Sequence, residues 1–280
     1  MTAVAETLER YDGALRLAVA DGRLTDLHFT PPMRLFRPYR EGGEPRTVVI
    51  ANVAGGVVGG DRLGVSIDVG ADEALLATTQ AAEKVYRSAG AAAELVNAFR
   101  VAGGGVLEML SSGTILFDGS RLSRTTEIDV ADGGRFAYAE TVVFGRIARG
   151  EVFADGSLRD RIRLRRAGRL AWADDFALLG DIAGAMAATA GLGGAQALAT
   201  LLLVGDGAKL AVEIVRGQPA GGAERDGLRV GVSALAEDLV VIRVLARDPA
   251  LGRTVLADIW SASRAAWLGR PARMPVIWSV

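Results

Sequence analysis

The sequence predicts a mainly β fold, largely antiparallel, with one or two helices toward its C-terminal half. Three observations carry that prediction. Apolar and polar residues alternate through many short runs, the period of a strand with one buried face. Glycine accounts for 36 of 280 residues, and Asp-Gly, which supports the positive φ of tight hairpin turns, begins at Asp12, Asp21, Asp118, Asp132, Asp155, Asp206 and Asp226. Strong helical spacing is confined to one stretch near the C-terminus.

Taken in chain order, Leu15, Leu17 and Val19 alternate with smaller or charged residues and lead into the Asp21-Gly22 turn. Beyond it Leu27 and Phe29 oppose Asp26 and His28, which places His28 on a solvated strand face. Similar runs lie near 47–53, 63–69, 93–101, 106–117, 122–130, 136–144, 208–215 and 239–246. Arg161-Ile162-Arg163-Leu164-Arg165 is the cleanest, with one guanidinium face and one aliphatic face. An Ala-rich stretch around 181–190 reads as a short helix. Ile182 to Gly205 carries no charge, but glycines interrupt it, and its strongly apolar part, Leu198 to Val204, has the length of a buried strand rather than a membrane span. Asp248-Pro249 then supplies an N-cap and a first-turn proline. Val255, Leu256, Ile259, Trp260, Ser263 and Trp267 fall on one helical arc, opposite Asp258, Ser261 and Arg264, and Gly269 ends the helix. That arc reads as core rather than interface. With no fixed-period repeat and no Pro/Ser-rich linker, residues 1–280 read as a single domain.

Composition removes several function classes. The 33 acidic and 32 basic residues leave a net charge of −1, which argues against nucleic-acid or anionic-membrane partners. All cations but Lys84 and Lys209 are arginine. No cysteine is present and His28 is the one histidine, so a transition-metal cage of imidazole and thiolate is unavailable. A divalent ion would be held weakly, by carboxylates, carbonyls and water. The N-terminal residues lack a signal-peptide pattern, and the expected compartment is the cytoplasm.

Few residues stand out as carriers of chemistry. In Asn52-Val53-Ala54-Gly55-Gly56-Val57-Val58-Gly59-Gly60-Asp61, Gly55 and Gly60 have P-loop spacing, but Asp61 occupies the position where phosphate binding needs lysine. The stretch reads as a tight turn where two backbones approach closely. Thr78-Thr79-Gln80-Ala81-Ala82-Glu83-Lys84-Val85-Tyr86-Arg87-Ser88 reads as an exposed turn with a Glu83/Lys84 charge pair. Two carboxylates are more informative. Glu140 shares strand parity with Phe136, Tyr138, Val142 and Phe144, and Asp174 with Leu170, Trp172, Phe176 and Leu178, while Asp175 faces the other way. An ionised carboxylate on a buried face must be paired with arginine or set in a watered cavity. Both readings stay open.

These segments together resemble the urease accessory protein family UreD, also called UreH. The resemblance rests on Val57-Val58-Gly59-Gly60-Asp61, on Thr78 to Ser88 as quoted, on Thr114-Ile115-Leu116-Phe117, on Phe144-Gly145-Arg146 with Arg149-Gly150-Glu151, and on Pro275-Val276-Ile277-Trp278. It runs from about residue 12 to the end. Two positions depart from the family pattern. The stretch usually written Asn-Pro-Gly-Gly-Gly is Asn52-Val53-Ala54-Gly55-Gly56 here, and an acid stands at 175 where arginine is frequent.

The resemblance implies an irregular β-helix of many short strands with about two α-helices. It implies a non-enzymatic factor for inserting nickel into apo-urease, with no tightly bound cofactor and nickel(II) only in transit. Its implied partners are apo-urease on one side and UreF on the other, with the GTPase UreG joined through UreF. The ion path it suggests would use Glu140, Asp174, Asp175, Asp61 and Ser88 as oxygen ligands. Gly55, Gly56, Gly59, Gly60, Lys84 and Arg87 would shape the motif. Two other classes compete: a β-helical carbohydrate-active enzyme using Glu140 with Asp174 or Asp175 as its carboxylate pair, and a plain β scaffold or binding module.

Overall fold

The computed structural model describes residues 10–39, 41–217 and 227–279. The chain winds back and forth between two facing sheets. β1 (Asp12–Ala20) and β2 (Arg23–Phe29) lie in the first sheet, β3 (Met33–Phe36) and β4 (Arg46–Asn52) in the second. β5 (Arg62–Val69) returns to the first, followed in the second by β6 (Ala74–Thr79) and the short β7 (Glu83–Val85). The next turn repeats this path with β8 (Ala93–Val101), β9 (Val106–Leu110) and the short β10 (Thr114–Leu116). β11 (Ser120–Val130) and β12 (Arg135–Phe144) make another turn, and β13 (Gly156–Arg166) with β14 (Arg169–Leu178) ends the first sheet. After α1 (Ile182–Ala187), β15 (Ala197–Val204), α2 (Leu210–Gly217), β16 (Leu228–Ala236) and β17 (Leu239–Ala246) follow, and α3 (Pro249–Leu268) closes the fold.

The fold is mainly β, as the alternation predicts, and stacked like a solenoid, as the family resemblance implies, but its centre is parallel rather than antiparallel. β1, β5, β8, β11 and β13 run parallel in the first sheet, and β4, β6, β9 and β12 in the second. Among the described residues, antiparallel pairing between named strands lies at the ends, at β2 and β14 on one sheet and at β3 and β15–β17–β16 on the other. The turns explain the difference. Asp21-Gly22, with φ of 51° and 69°, joins hydrogen-bonded neighbours as a hairpin. Gly119, Gly133 and Gly156 also adopt positive φ, but their turns pass the chain to the facing sheet, so each strand beside the last in a sheet points the same way. Position 226 of the last Asp-Gly pair lies outside the described residues.

Strand parity then builds two cores. Inward residues such as Leu17, Ile67, Phe99, Ile128, Phe136 and Phe144 fill the space between the sheets. The outward residues of the second sheet, among them Leu201, Leu203, Val240 and Ile242, pack under α2 and α3 with Leu256, Ile259, Trp260 and Trp267. The helix at α3 matches its sequence signals. Asp248 Oδ1 accepts from the Ala250 N–H at 2.9 Å, Pro249 opens the first turn, and Gly269 ends it at φ 62°. Trp260 and Trp267 are core, each large apolar side chain worth about 1.5–3 kcal/mol on burial. The exposed face of the first sheet carries charge ladders, including Arg165 to Glu127 at 2.6 Å, while Ile162 and Leu164 are buried. His28 is exposed.

Three α-helices are present among the described residues, α1, α2 and α3. The run 208–215 is not a strand. Ala211, Val212 and Val215 are buried at helical spacing in α2, and Leu210 is exposed. Arg264 is not on a solvated helix face. It sits at the edge of the apolar arc, where the chain near Glu44 and the segment after Gly269 fold over it. Its Nε donates to Glu108 at 2.7 Å, its Nη2 to Glu44 at 2.7 Å and its Nη1 to the Pro271 carbonyl at 3.0 Å. Burial alone would lower the Arg264 pKa, but the two carboxylates outweigh it and hold the guanidinium above its ordinary value. The uncharged stretch from Ile182 splits into α1 and β15, and no helix among the described residues is long and apolar enough to cross a membrane.

Replacing Arg264 by alanine leaves Glu44 and Glu108 facing each other with that cation gone. The expected loss is about 3–5 kcal/mol of folding stability, read from urea denaturation midpoints. A loss under about 1 kcal/mol would mean that water or Arg273 takes over the pairing.

Candidate functional site

Inward parity also carries polar residues into the space between the sheets. On the first sheet Asn97 sits between Leu95 and Phe99, Arg124 between Leu122 and Thr126, Asp160 between Leu158 and Ile162, and Asp174 between Trp172 and Phe176. On the second, Glu140 lies between Tyr138 and Val142, and Arg243 between Val241 and Leu245. These side chains form a polar seam through an apolar core.

Arg124 is the centre of the seam. Its Nε and Nη2 donate to the two Asp160 oxygens at 2.9 and 2.5 Å. Its Nη1 lies 2.8 Å from Glu140 Oε1 and donates to Thr114 Oγ1 at 3.1 Å, and the Thr114 hydroxyl donates to the same Glu140 oxygen at 2.9 Å. Burial would lower the Arg124 pKa, but Asp160 and Glu140 more than offset it and hold it well above the ordinary value. Nearby Tyr138 is a fully buried phenol whose pKa burial pushes up, so it stays neutral. Further along, Arg243 Nη2 donates to Asp174 Oδ2 at 2.7 Å.

Two voids open onto this seam. A cavity of about 140 Å³ is lined by Thr79, Glu83, Asn97, Arg124, Tyr138 and Glu140, among others. A crevice of about 10 Å³ is lined by Arg124, Glu140, Asp160, Asp174, Thr200 and Arg243, among others. The crevice has room for about one water. A sugar ring does not fit there, and Glu140 and Asp174 are each held by a guanidinium, which disfavours a glycosidase pair.

The Thr78–Ser88 segment is not an exposed turn throughout. Glu83 and Val85 point inward from β7, with Lys84 exposed between them. The Glu83 carboxylate accepts from Asn52 Nδ2 at 3.0 Å and lines the larger cavity. Burial pushes its pKa up to about 7, which the Asn52 hydrogen bond and the Lys84 charge only partly offset. The Gly-rich turn braces this strand. Val57 N–H donates to the Lys84 carbonyl at 2.8 Å, and Asn52 Nδ2 also reaches the Gly56 carbonyl at 3.2 Å. A Cβ at Gly56 would stand 2.6 Å from the Lys84 carbonyl, and one at Gly59 would stand 1.9 Å from Ser88 Oγ. Gly55 and Gly60 take positive φ of 82° and 91°.

Of the five residues expected along an ion path, the fold brings together Glu140 and Asp174. Asp61 is buried within the Gly-rich turn, where its two oxygens accept from the Tyr11 and Val58 N–H groups at 2.9 and 2.8 Å. Ser88 donates to the Ala91 carbonyl at 2.7 Å in the same region. Asp175 lies on the outer face of the first sheet, 2.9 Å from Arg159, whose hydrogen bond lowers its pKa. Arg87 is exposed and pairs with Asp118 at 2.8 Å. Among the described residues, no three or more His, Cys, Asp or Glu side chains group as a metal-holding set. Sequence reasoning passed over Arg124, Asp160 and Arg243. For the first two the signal was present, since Arg124 shares parity with Leu122 and Ile128, and Asp160 with Leu158 and Ile162. For Arg243 it was not, because β17 is apolar on both faces.

A family model described as UreD urease accessory protein matches residues 11–279. A protein named urease accessory protein UreD from Magnetococcus marinus is 41% identical over 273 residues, covering 96% of this chain and 94% of the relative. A Methylobacterium sp. protein of the same name is 39% identical over 267 residues, covering 95% and 92%. Urease accessory protein UreD 2 of Methylorubrum populi is 41% identical over 283 residues, covering 96% and 91%.

The cavity makes a pH prediction through Glu83. An acid whose folded pKa exceeds its unfolded one binds more protons when folded, so its contribution to stability declines as pH rises from about 4.5 to about 7. Glu83→Gln removes that decline. Relative to the wild type, the variant should gain about 1–3 kcal/mol between about pH 5 and about pH 8, measured by denaturant titration at each pH. Parallel curves would place the Glu83 carboxyl in bulk-like water.

Proposed function

The chain belongs to the UreD family of urease accessory proteins and so to urease maturation, and from that premise we propose that its polar seam is a conduit for nickel(II). In this reading the protein is a non-enzymatic scaffold acting in the cytoplasm. It contacts apo-urease on one side and UreF on the other, and receives nickel from the GTPase UreG through UreF. The observation that carries the reading is the line of oxygen donors through the core, from Glu83 through Glu140 to Asp174. Carboxylates, hydroxyls and water suit passage, because they bind a divalent ion less tightly than imidazole or thiolate sets do. A path must also release what it binds.

The seam's charges fit that task. Glu140 and Asp174 offset part of the cost of moving a hydrated cation into a low-dielectric interior, while Arg124 and Arg243 keep the acids from forming a trap. Nickel here is cargo, handed on and not retained.

Urease from cells carrying the urease genes with this chain should contain nickel, and urease from cells without it should contain several-fold less. In the first background, Glu140→Gln with Asp174→Asn should also lower nickel per urease several-fold while pull-down of the maturation complex is unchanged. Equal nickel with and without the chain would reject the maturation role. Normal nickel in the double variant would reject the conduit and leave the plain scaffold reading.

A further inference from the structure

We propose that Arg124 is the gate of the seam, a built-in cation that occupies the oxygens a passing divalent ion must use. The proposal rests on the conduit reading and concerns how that conduit is kept closed.

The larger cavity and the crevice share two lining residues, Arg124 and Glu140, so passage between them goes by the contact that these two make. That contact is closed. The guanidinium is 2.8 Å from Glu140 Oε1, and its opposite edge grips both oxygens of Asp160. Arg124 and Glu140 are buried, so bulk water does little to weaken these charge-assisted bonds.

Charge gives the contact its meaning. Without Arg124, Glu140 and Asp160 would bring two negative charges into one buried space around the same point. Such a pair would draw in a divalent cation and hold it, which defeats transit. With Arg124 in place the oxygens are taken. A cation then passes by exchanging with the guanidinium, and the seam stays closed to ions that cannot compete for both carboxylates. Arginine does not lose its proton in proteins, so this gate does not open by titration. It opens by rotation of the side chain, and the cavity of about 140 Å³ that Arg124 lines supplies the space for that swing. Arg243 differs, since it holds Asp174 alone and lines only the crevice.

The test uses the purified full-length chain and Co²⁺, whose visible absorption reports inner-sphere binding, in equilibrium dialysis. The wild type should bind Co²⁺ weakly, and Arg124→Gln should gain one ion per chain with affinity raised by about tenfold or more. That gain should vanish in Arg124→Gln with Glu140→Gln. In cells, Arg124→Gln should lower nickel delivered to urease although the complex still assembles, because the ion is now retained. A folded Arg124→Gln chain that binds no more Co²⁺ than the wild type would overturn the proposal. So would a gain that survives loss of Glu140. If Arg124→Gln does not fold, Arg124→Lys preserves the charge but lacks the fork, and should bind Co²⁺ about threefold tighter than wild type; no change there would equally overturn it. The dialysis needs no urease, so it separates the two readings. Co²⁺ gain with normal nickel in the Glu140/Asp174 double variant would reject the conduit and keep Arg124 as the occupant of a cation site. The reverse pattern would reject the gate alone.

Discussion

A guanidinium shared between two sheets sets the terms for the interior of this protein. In a two-sheet parallel stack, every turn sends alternate side chains into one common space, and a charge placed there must find its partner inside. Arg124 leaves β11 and reaches Asp160 on the neighbouring strand of its own sheet and Glu140 on the facing sheet. That reach links the sheets by a directional contact where the surrounding core is held by apolar packing. It also accounts for the Thr114 hydroxyl and the neutral Tyr138 phenol close by, which complete a polar pocket among aliphatic walls.

The second buried arginine shows what a purely structural version of such a site looks like. Arg264 lies on the other side of the second sheet, with Glu44 and Glu108, and all three are at most 3% exposed. It directs its donors to two carboxylates and two backbone carbonyls, fastening α3 and the chain near Glu44 to the outer face of β9. Arg124 is as deeply buried but stands between two voids. Removing either guanidinium takes a charge-assisted partner away from buried carboxylates. At Arg124, adjoining space lets something else approach.

The motif residues support the seam without lining its centre. The Gly-rich turn lies close enough to the backbone of Lys84 and to Ser88 that a Cβ at Gly56 or Gly59 would collide. Asn52 then bridges the turn and the Glu83 carboxylate, which fixes β7 beside the cavity. Asp61 caps the arrangement by accepting two backbone N–H groups. Asp61 in the motif thus serves geometry, Glu83 brings a motif carboxylate to the larger cavity, and Arg124, Glu140, Asp160, Asp174 and Arg243 come from strands with no motif.

Much of the architecture was legible in the amino-acid order because the signals are local. Period-two alternation marks β1, β5, β8, β11, β12 and β13, the inward parity of Glu140 and Asp174 follows from their aromatic neighbours, and the caps at Asp248 and Gly269 delimit α3. What the tertiary structure decided is everything that depends on where a turn sends the chain. Asp-Gly permits a reversal, but whether the next strand pairs beside the last or crosses to a facing sheet is settled by packing of both sheets at once, and this made the stack parallel. The same limit applies to charge. Parity tells that a carboxylate points inward, while the choice between arginine pair and cavity depends on residues such as Arg124 and Arg243, 16 and 69 positions away from their partners in sequence. Buried charges are paired across space, so the amino-acid order alone could name the need for a partner but not the partner itself.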